Sequence, residues 1–475
     1  MVLIRKERRS SVGSPIVGEG SLRSRPSLMV GLLILALTAS FVPAQKAGLQ
    51  QRLESAAALI RDQRLAEAEQ QLKAILKTAP NEAAALNLMG TIRAQQGRLN
   101  EAEAFLTRAA KIDPTFVAVH MNLAYLYLLK RAPEKTVSEL KEVVKLEPSN
   151  LEANYKLARL LLSGGQIEES IAVIEKVKST SPVAAALIVL LGDAYLKKGD
   201  ADKAEENYQL ALAARKDNPD ATIGLARVSQ GRGDAKATLA YLAQARELAG
   251  SSPELLYKVG AAALGLKVFD EALTAFEQAV KLKPGDAGYL TALGATWLKK
   301  PDLFAAEQSF RRAIELQPDN AQTQLYLGYV LYKQKKFIEA KVYLEKTIKA
   351  DAGVPEPFYY LGLIAQEANE DEQAVALLER ALQVSPSLAN AHVALGASYL
   401  KLKEYQRAQK ELELGASLNP DDSRAHYQLA VLYARLKDSK RAQAQMQIVE
   451  KLKSVEQTVK TEGDTMVITP AVPNP

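Results

Sequence analysis

The sequence predicts an all-α protein, a solenoid of about twelve antiparallel helix pairs. Three observations carry that expectation. A pattern of two short amphipathic segments, as in AALNLMGTIRAQQGRLNEAEAFLTRAAKIDP from Ala84 to Pro114, returns every 34 residues. Windows of that length starting at Leu49 fit end to end twelve times, to Glu456, without an insertion or deletion. Certain places in the window are chemically restricted in every copy. Self-similarity at such a period is the mark of stacked helical repeats, in which one unit buries its apolar face only against its neighbours.

In the first helix the restricted place is the eighth. It holds Ala56, Gly90, Ala124, Ala158, Gly192, Ala226, Gly260, Gly294, Gly328, Gly362, Gly396 and Ala430, always Gly or Ala. A small residue there lets a second backbone approach closely, where a larger one would overpack. At the turn, Gly97, Gly165, Gly199 and Gly233 mark the change of direction, because glycine takes the left-handed conformation at little cost. The second helix carries Ala at the twentieth place in nine copies, with Thr136, Ser170 and Thr238 in the others. Its twenty-fourth place is always large and apolar, from Leu72 through Tyr208, Phe276 and Phe310 to Met446, and fills the space beside the small residues. Proline closes eight of the twelve units, at 80, 114, 148, 182, 284, 318, 386 and 420. It cannot continue a helix from within, so it separates one unit from the next.

These residues carry a resemblance. Leu191-Gly192…Tyr195…Ala204…Tyr208…Ala211 and Leu293-Gly294…Trp297…Ala306…Phe310…Ala313…Pro318 resemble the tetratricopeptide repeat, and the likeness covers about 408 of the 475 residues. The pentatricopeptide repeat has a period of 35, and twelve exact 34-residue steps set it aside. The resemblance implies a right-handed superhelix over 45–456. Within it, Arg52 and Ser55 replace apolar residues in the first unit, as a polar cap would. The sixth unit reads as a soft point around 216–250: Thr222 and Ser229 stand at core places, Gly224, Gly231 and Gly233 lie nearby, and Lys216 and Gly250 replace proline at both borders. The Pro-rich segment 457–475 reads as a disordered tail.

The first 44 residues have another character. Arg5, Lys6, Arg8, Arg9, Arg23 and Arg25 precede LMVGLLILALTASFV, Leu28–Val42, which carries no charge, and Val-Pro-Ala follows at 42–44. A basic start, a short apolar core and a small-x-Ala exit resemble a secretory signal peptide cleaved after Ala44, with an uncleaved membrane anchor as the alternative. Cleavage implies a periplasmic or secreted protein; an anchor implies one held at the inner membrane facing the periplasm. With Glu7 and Glu19, the leader carries +4 of the chain's +6, leaving about +2 for the repeats. That removes the case for nucleic acid, which needs a basic folded surface. No cysteine is present, which excludes disulfides, thiolate metal sites, a Cys nucleophile and lipoprotein anchoring.

The array uses nearly all of the sequence and leaves no separate catalytic domain, so the expected protein is not an enzyme and needs no cofactor or metal. His120, His392 and His426 all fall at the fourth place of their repeats and read as packing residues. Arg232-Gly233-Asp234 and Gly164-Gly165 read as inter-helix turns rather than an adhesion motif and a phosphate loop.

The resemblance places a concave groove along the first helices, at the second, fifth, ninth and twelfth places and some neighbours. Those places hold Tyr155, Lys156 and Arg159 in the fourth unit, Tyr257 and Lys258 in the seventh, Tyr326, Tyr329, Tyr332 and Lys333 in the ninth, and Tyr359 and Tyr360 in the tenth. Tyrosine offers a rigid apolar face and a hydroxyl at low entropy cost, which suits recognition. The Lys and Asn set of the family's carboxylate-clamp grooves does not form here. The resulting expectation is a non-catalytic scaffold that binds peptide or protein partners in this groove, in envelope assembly, secretion or exopolysaccharide systems. The alternative is a membrane-tethered spacer or docking factor.

Overall fold

The computed structural model describes residues 44–180 and 184–458. Among these, 24 helices follow one another from Ala44–Arg61 to Ser439–Thr458, and consecutive helices pair in the predicted register. The first helix of a pair spans about 13 residues and the second 14, as in Ala83–Gln95 with Leu99–Ile112. The last helix is longer, 20 residues, and runs to Thr458, two residues past the predicted end of the array. The leader, including Leu28–Val42, and the segment from Val459 onward lie outside the described residues. Among the described residues no helix is long and apolar enough to cross a membrane.

The helices fall into two compact units, one ending at Leu248 and one beginning at Ala249. The division lies at the end of the sixth repeat, where Gly250 takes a positive φ of 55° in place of a border proline. In the first unit, Ala68, Leu72 and Ile75 of the first repeat and Ala102, Leu106 and Ala109 of the second are fully buried. In the second unit, Ala306, Phe310 and Ala313 and then Ala340 and Leu344 repeat that pattern. The small residue at the eighth place has the expected cause. A Cβ on Gly90 would stand 2.6 Å from Leu106 Cγ, and one on Gly294 would stand 2.7 Å from Phe310 Cε1. The three hydroxyls at the twentieth place are buried without being orphaned. Thr136 and Thr238 donate to Ala132 O and Asp234 O in their own helices, and Ser170 donates to Ala158 O across the pair.

The turn is more uniform than its glycines foretell. The fifteenth residue has positive φ at Gly97, Gly165, Gly199 and Gly233, and also at Gln63, Arg131, Lys267, Lys335, Asn369, Lys403 and Lys437. Only the eighth repeat departs, because Pro301 there cannot adopt it. Left-handed backbone costs a residue with a Cβ about 1 kcal/mol, a cost the packing of two helices overrides. Arg232-Gly233-Asp234 is such a turn. Gly233 supplies φ 77°, Asp234 Oδ1 accepts from Ala237 N at 2.9 Å, and Arg232 pairs with Asp202 at 2.7 Å and Glu205.

At the fourth place a polar side chain ties a repeat to the border before it. His120 Nε2 lies 3.0 Å from Pro114 O, His392 Nε2 3.0 Å from Pro386 O, and His426 Nε2 2.9 Å from Pro420 O. Asn154 and Gln324 donate to Pro148 O and Pro318 O in the same way. Each histidine also reaches the second helix of its own repeat through Nδ1, to Glu139 at 2.7 Å, Glu411 at 2.6 Å and Gln445 at 2.6 Å.

Candidate functional site

The predicted groove residues divide into three sets. Tyr326, Tyr329 and Tyr360 are corrected from partner-binding to core: they are 1%, 5% and 8% exposed. Tyr326 packs on Phe310 with centroids 5.4 Å apart, and Tyr329 packs on Tyr360 at 5.3 Å. Residues 326, 329 and 332 do share one side of their helix, but that side meets Phe310 of the preceding repeat and Tyr360 of the next. Tyr332 and Tyr359 are half-buried and edge the same cluster, 5.5 and 5.1 Å from Tyr360. Tyr257 is half-buried, stacked on Tyr289 at 5.1 Å and tilted on Phe276 at 5.4 Å, and burial pushes its hydroxyl up to about 12.

In the first unit, Tyr155, Lys156 and Arg159 do come together, with two residues the groove map did not name. The Lys156 ammonium lies 5.0 Å from the Tyr125 ring centroid and 3.7 Å from Glu152, whose carboxylate accepts from the Tyr125 hydroxyl. Burial and that carboxylate push the Tyr125 hydroxyl well up. The Arg159 guanidinium lies over Tyr155 at 5.7 Å. Cation–ring contacts of this kind contribute about 0.5–1 kcal/mol when exposed. They make a small cationic shelf rather than a cavity.

A cavity of about 410 Å³ opens on the last three repeats of the second unit. Tyr359, Leu363 and Gln366 reach it from the first helix of the tenth repeat, Glu356–Glu367. Asn390, Val393, Ala394 and Ala397 come from Ala389–Lys401, and Arg424, Tyr427 and Gln428 from Ser423–Arg435. These are the second, fifth, sixth, ninth and twelfth places of their repeats. Val449 and Lys453 of the long final helix also line it.

The floor of this cavity is apolar and its walls are held in place. Gln366 Nε2 donates to Ala394 O and to Ser398 Oγ, both at 2.7 Å, which locks two adjacent first helices. Arg424 is pinned at its base by Asp422, 3.1 Å from Nε, and reaches Asn390 Oδ1 at 3.2 Å. Half of the Arg424 side chain remains exposed. Tyr427 is 49% exposed, an open aromatic face at the rim. No carboxylate lines the cavity among the described residues. Sequence reasoning found Tyr359 and missed Asn390, Arg424, Tyr427 and Lys453. The same register map, carried into repeats eleven and twelve, names the first three.

Nothing in this constellation sets up a nucleophile beside a base. The three histidines are engaged in the border contacts described above, and among the described residues no three His, Asp or Glu side chains are grouped to hold a metal.

Models of tetratricopeptide repeat families match residues 53–115, 257–321 and 302–355, a second such model matches 365–427, and a tetratricopeptide repeat-like model matches 117–223. The chain belongs to the tetratricopeptide repeat family. Among curated proteins it is similar to the human DnaJ homolog subfamily C member 3, 22% identical over 251 residues, 49% of this chain and 50% of that protein. The chain thus spans about half the length of that relative. Among solved structures, yeast Tom70 is 15% identical over 88% of this chain and 98% of its own, with a TM-score of 0.38. The APC/C hetero-tetramer Cut9–Hcn1 is 14% identical over 81% and 96%, with a TM-score of 0.39. A Pseudomonas aeruginosa pilF structure is 20% identical over 46% and 95%, with a TM-score of 0.38.

Proposed function

We propose that this tetratricopeptide repeat protein is a non-catalytic scaffold that holds an extended peptide, or an extended segment of a protein partner, in the cavity of repeats ten to twelve. The observation that carries the reading is the cavity itself: an apolar floor of Leu363, Val393 and Ala394, an exposed aromatic at Tyr427, and amide and guanidinium groups at Gln428, Asn390 and Arg424. Its volume sits within the range of about 300–1,000 Å³ typical of ligand pockets. An apolar floor gives affinity, while side-chain amides and Arg pair with peptide backbone and acidic side chains. The cationic shelf at Tyr155, Lys156 and Arg159 is a second, weaker contact for a long partner.

We further propose that the scaffold works outside the cytoplasm, in an envelope assembly, secretion or exopolysaccharide system. The support is the leader sequence: a basic start, the apolar stretch 28–42 and the small residues before Gln45. If 28–42 stays attached, the same array becomes a membrane-tethered docking factor.

The test is affinity capture from an envelope extract with the purified chain, beside Tyr427→Ala and Arg424→Ala, with mass spectrometry of what is retained. A protein held by the wild type and lost from both variants, with helicity unchanged, supports the reading. The same protein held equally by all three refutes the cavity as the site.

A further inference from the structure

The cavity has a candidate occupant within the chain. Part of its lining comes from Val449 and Lys453 of the final helix. That helix ends at Thr458, five residues beyond Lys453, so the following segment starts about 8 Å along the helix axis from the cavity wall. Seventeen further residues follow, enough to span up to about 56 Å when extended. Reach is therefore no obstacle to a return into the groove.

The chemistry of the segment matches the cavity in order as well as in kind. After Lys460 come its two acidic residues, Glu462 and Asp464, and from Thr465 onward no side chain is charged. Met466, Val467 and Ile468 follow directly, then Thr469 and Pro470. A β-branched run ended by proline opposes helix and favours extended chain, the form a groove along first helices accepts. Among the described residues, the charged side chains lining the cavity are Arg424, which is paired with Asp422, and Lys453, both basic.

We propose that residues 459–472 dock into this cavity in cis, with Glu462 and Asp464 toward Lys453 and Arg424 and Met466-Val467-Ile468 over Leu363, Val393 and Ala394, so that the chain competes with its own partner. The proposal rests on reading the cavity as a peptide groove. A tethered segment acts at an effective concentration of about a millimolar, so even weak intrinsic affinity keeps the groove largely filled.

The test uses the full chain and a fluorescein-labelled synthetic peptide of residues 459–472, read by fluorescence anisotropy. In the variant Met466→Ser/Val467→Ser/Ile468→Ser the groove is vacated, and the labelled peptide should bind at least tenfold more tightly than to the wild type. Adding Tyr427→Ala to that variant should weaken the peptide at least fivefold, with helicity unchanged by circular dichroism. Equal peptide affinity for wild type and tail variant overturns the proposal, as does failure of the peptide to bind either. A concentration-dependent dimer in sedimentation velocity that vanishes in the tail variant overturns cis docking in favour of the segment of a second copy. These outcomes are separate from those of the groove reading: a partner captured through Tyr427 leaves that reading standing even when the peptide binds nowhere.

Discussion

Replacing Gly224 with alanine should destabilise the sixth repeat, although alanine is the better helix former. Gly224 lies inside the helix Pro219–Gly231, and its missing Cβ faces the ring of Tyr208 from the fifth repeat. A Cβ built there would stand 2.6 Å from Tyr208 Cδ1, with two further ring atoms closer still. The ring has nowhere to go. Gly192 crowds the same ring atoms, since a Cβ on it would stand 2.6 Å from Cε1, and the Tyr208 hydroxyl donates to Asp193 Oδ1 at 2.7 Å. Tyr208 is fully buried. Overpacking of this kind costs roughly 1–3 kcal/mol, against a gain of about 0.5–1 kcal/mol in helix propensity. The net loss is about 1–2 kcal/mol, or roughly 3–6 °C in melting midpoint for a unit of this size. Gly231, at the end of the same helix, has nothing within 4 Å of where a Cβ would stand. Gly231→Ala should therefore be neutral or raise the midpoint by about 1–2 °C. Thermal melts by circular dichroism, with hydrogen exchange read over 219–231, compare the two. If both variants move the midpoint the same way, the ring does not fix the glycine and the packing argument fails.

Three further outcomes follow from side chains already placed. Hydrogen bonding to Glu139 raises the pKa of His120, with Glu142 the other carboxylate acting on it. A raised folded pKa stabilises fully below the unfolded value of about 6.5 and is lost as pH rises through the folded one. Hydrogen-exchange protection over 117–146 should therefore fall as pH climbs above neutral once corrected for intrinsic exchange, and Glu139→Gln should flatten that dependence. Glu69 is held down to about 2 by hydrogen bonds from Arg93 and then Lys73. Its contribution is present above the ordinary carboxylate pKa and lost as pH falls toward 2. Glu69→Ala should cost about 1–3 kcal/mol by removing the two-bond partner of the buried Arg93, which keeps Gln96 and Glu101, as read from urea midpoints at pH 7, with the difference shrinking in acid. Lys335 holds φ at 61°, so Lys335→Gly should be neutral or raise the midpoint by about 1–2 °C, whereas Gly199→Ala, at φ 90°, should lower it.

The period, the helix pairs and the small-against-large packing were legible in the sequence because each restricted place has one dominant contact. The turn was legible only where it held glycine. At Lys267, Lys335, Lys403 and Lys437 the same backbone is imposed by the packing of the two helices, and no local signal announces it. The groove was the least legible part. A first helix inside the array meets the previous repeat, its own second helix and the next repeat, so a three-residue spacing such as 326, 329 and 332 does not separate solvent from junction. Arg424 and Tyr427 stand at the second and fifth places of the twelfth repeat, where no further described repeat covers them, and both line the cavity.

The contact between a fourth-place side chain and the preceding prolyl carbonyl bears on how the array answers a pull along the chain. At Pro114, Pro148, Pro318, Pro386 and Pro420 the border is braced from six residues ahead. At the border holding Lys216 the equivalent Thr222 bonds Asn218 O within its own helix, and at the border holding Ala352 the equivalent is Phe358, with no group to offer. Tension therefore meets stiff and soft joints in a fixed order. Fourth-place Leu256 and Leu290 leave the borders at Gly250 and Pro284 unbraced as well, so within each unit the unbraced borders give before the braced ones, a pattern of elasticity written into single side chains.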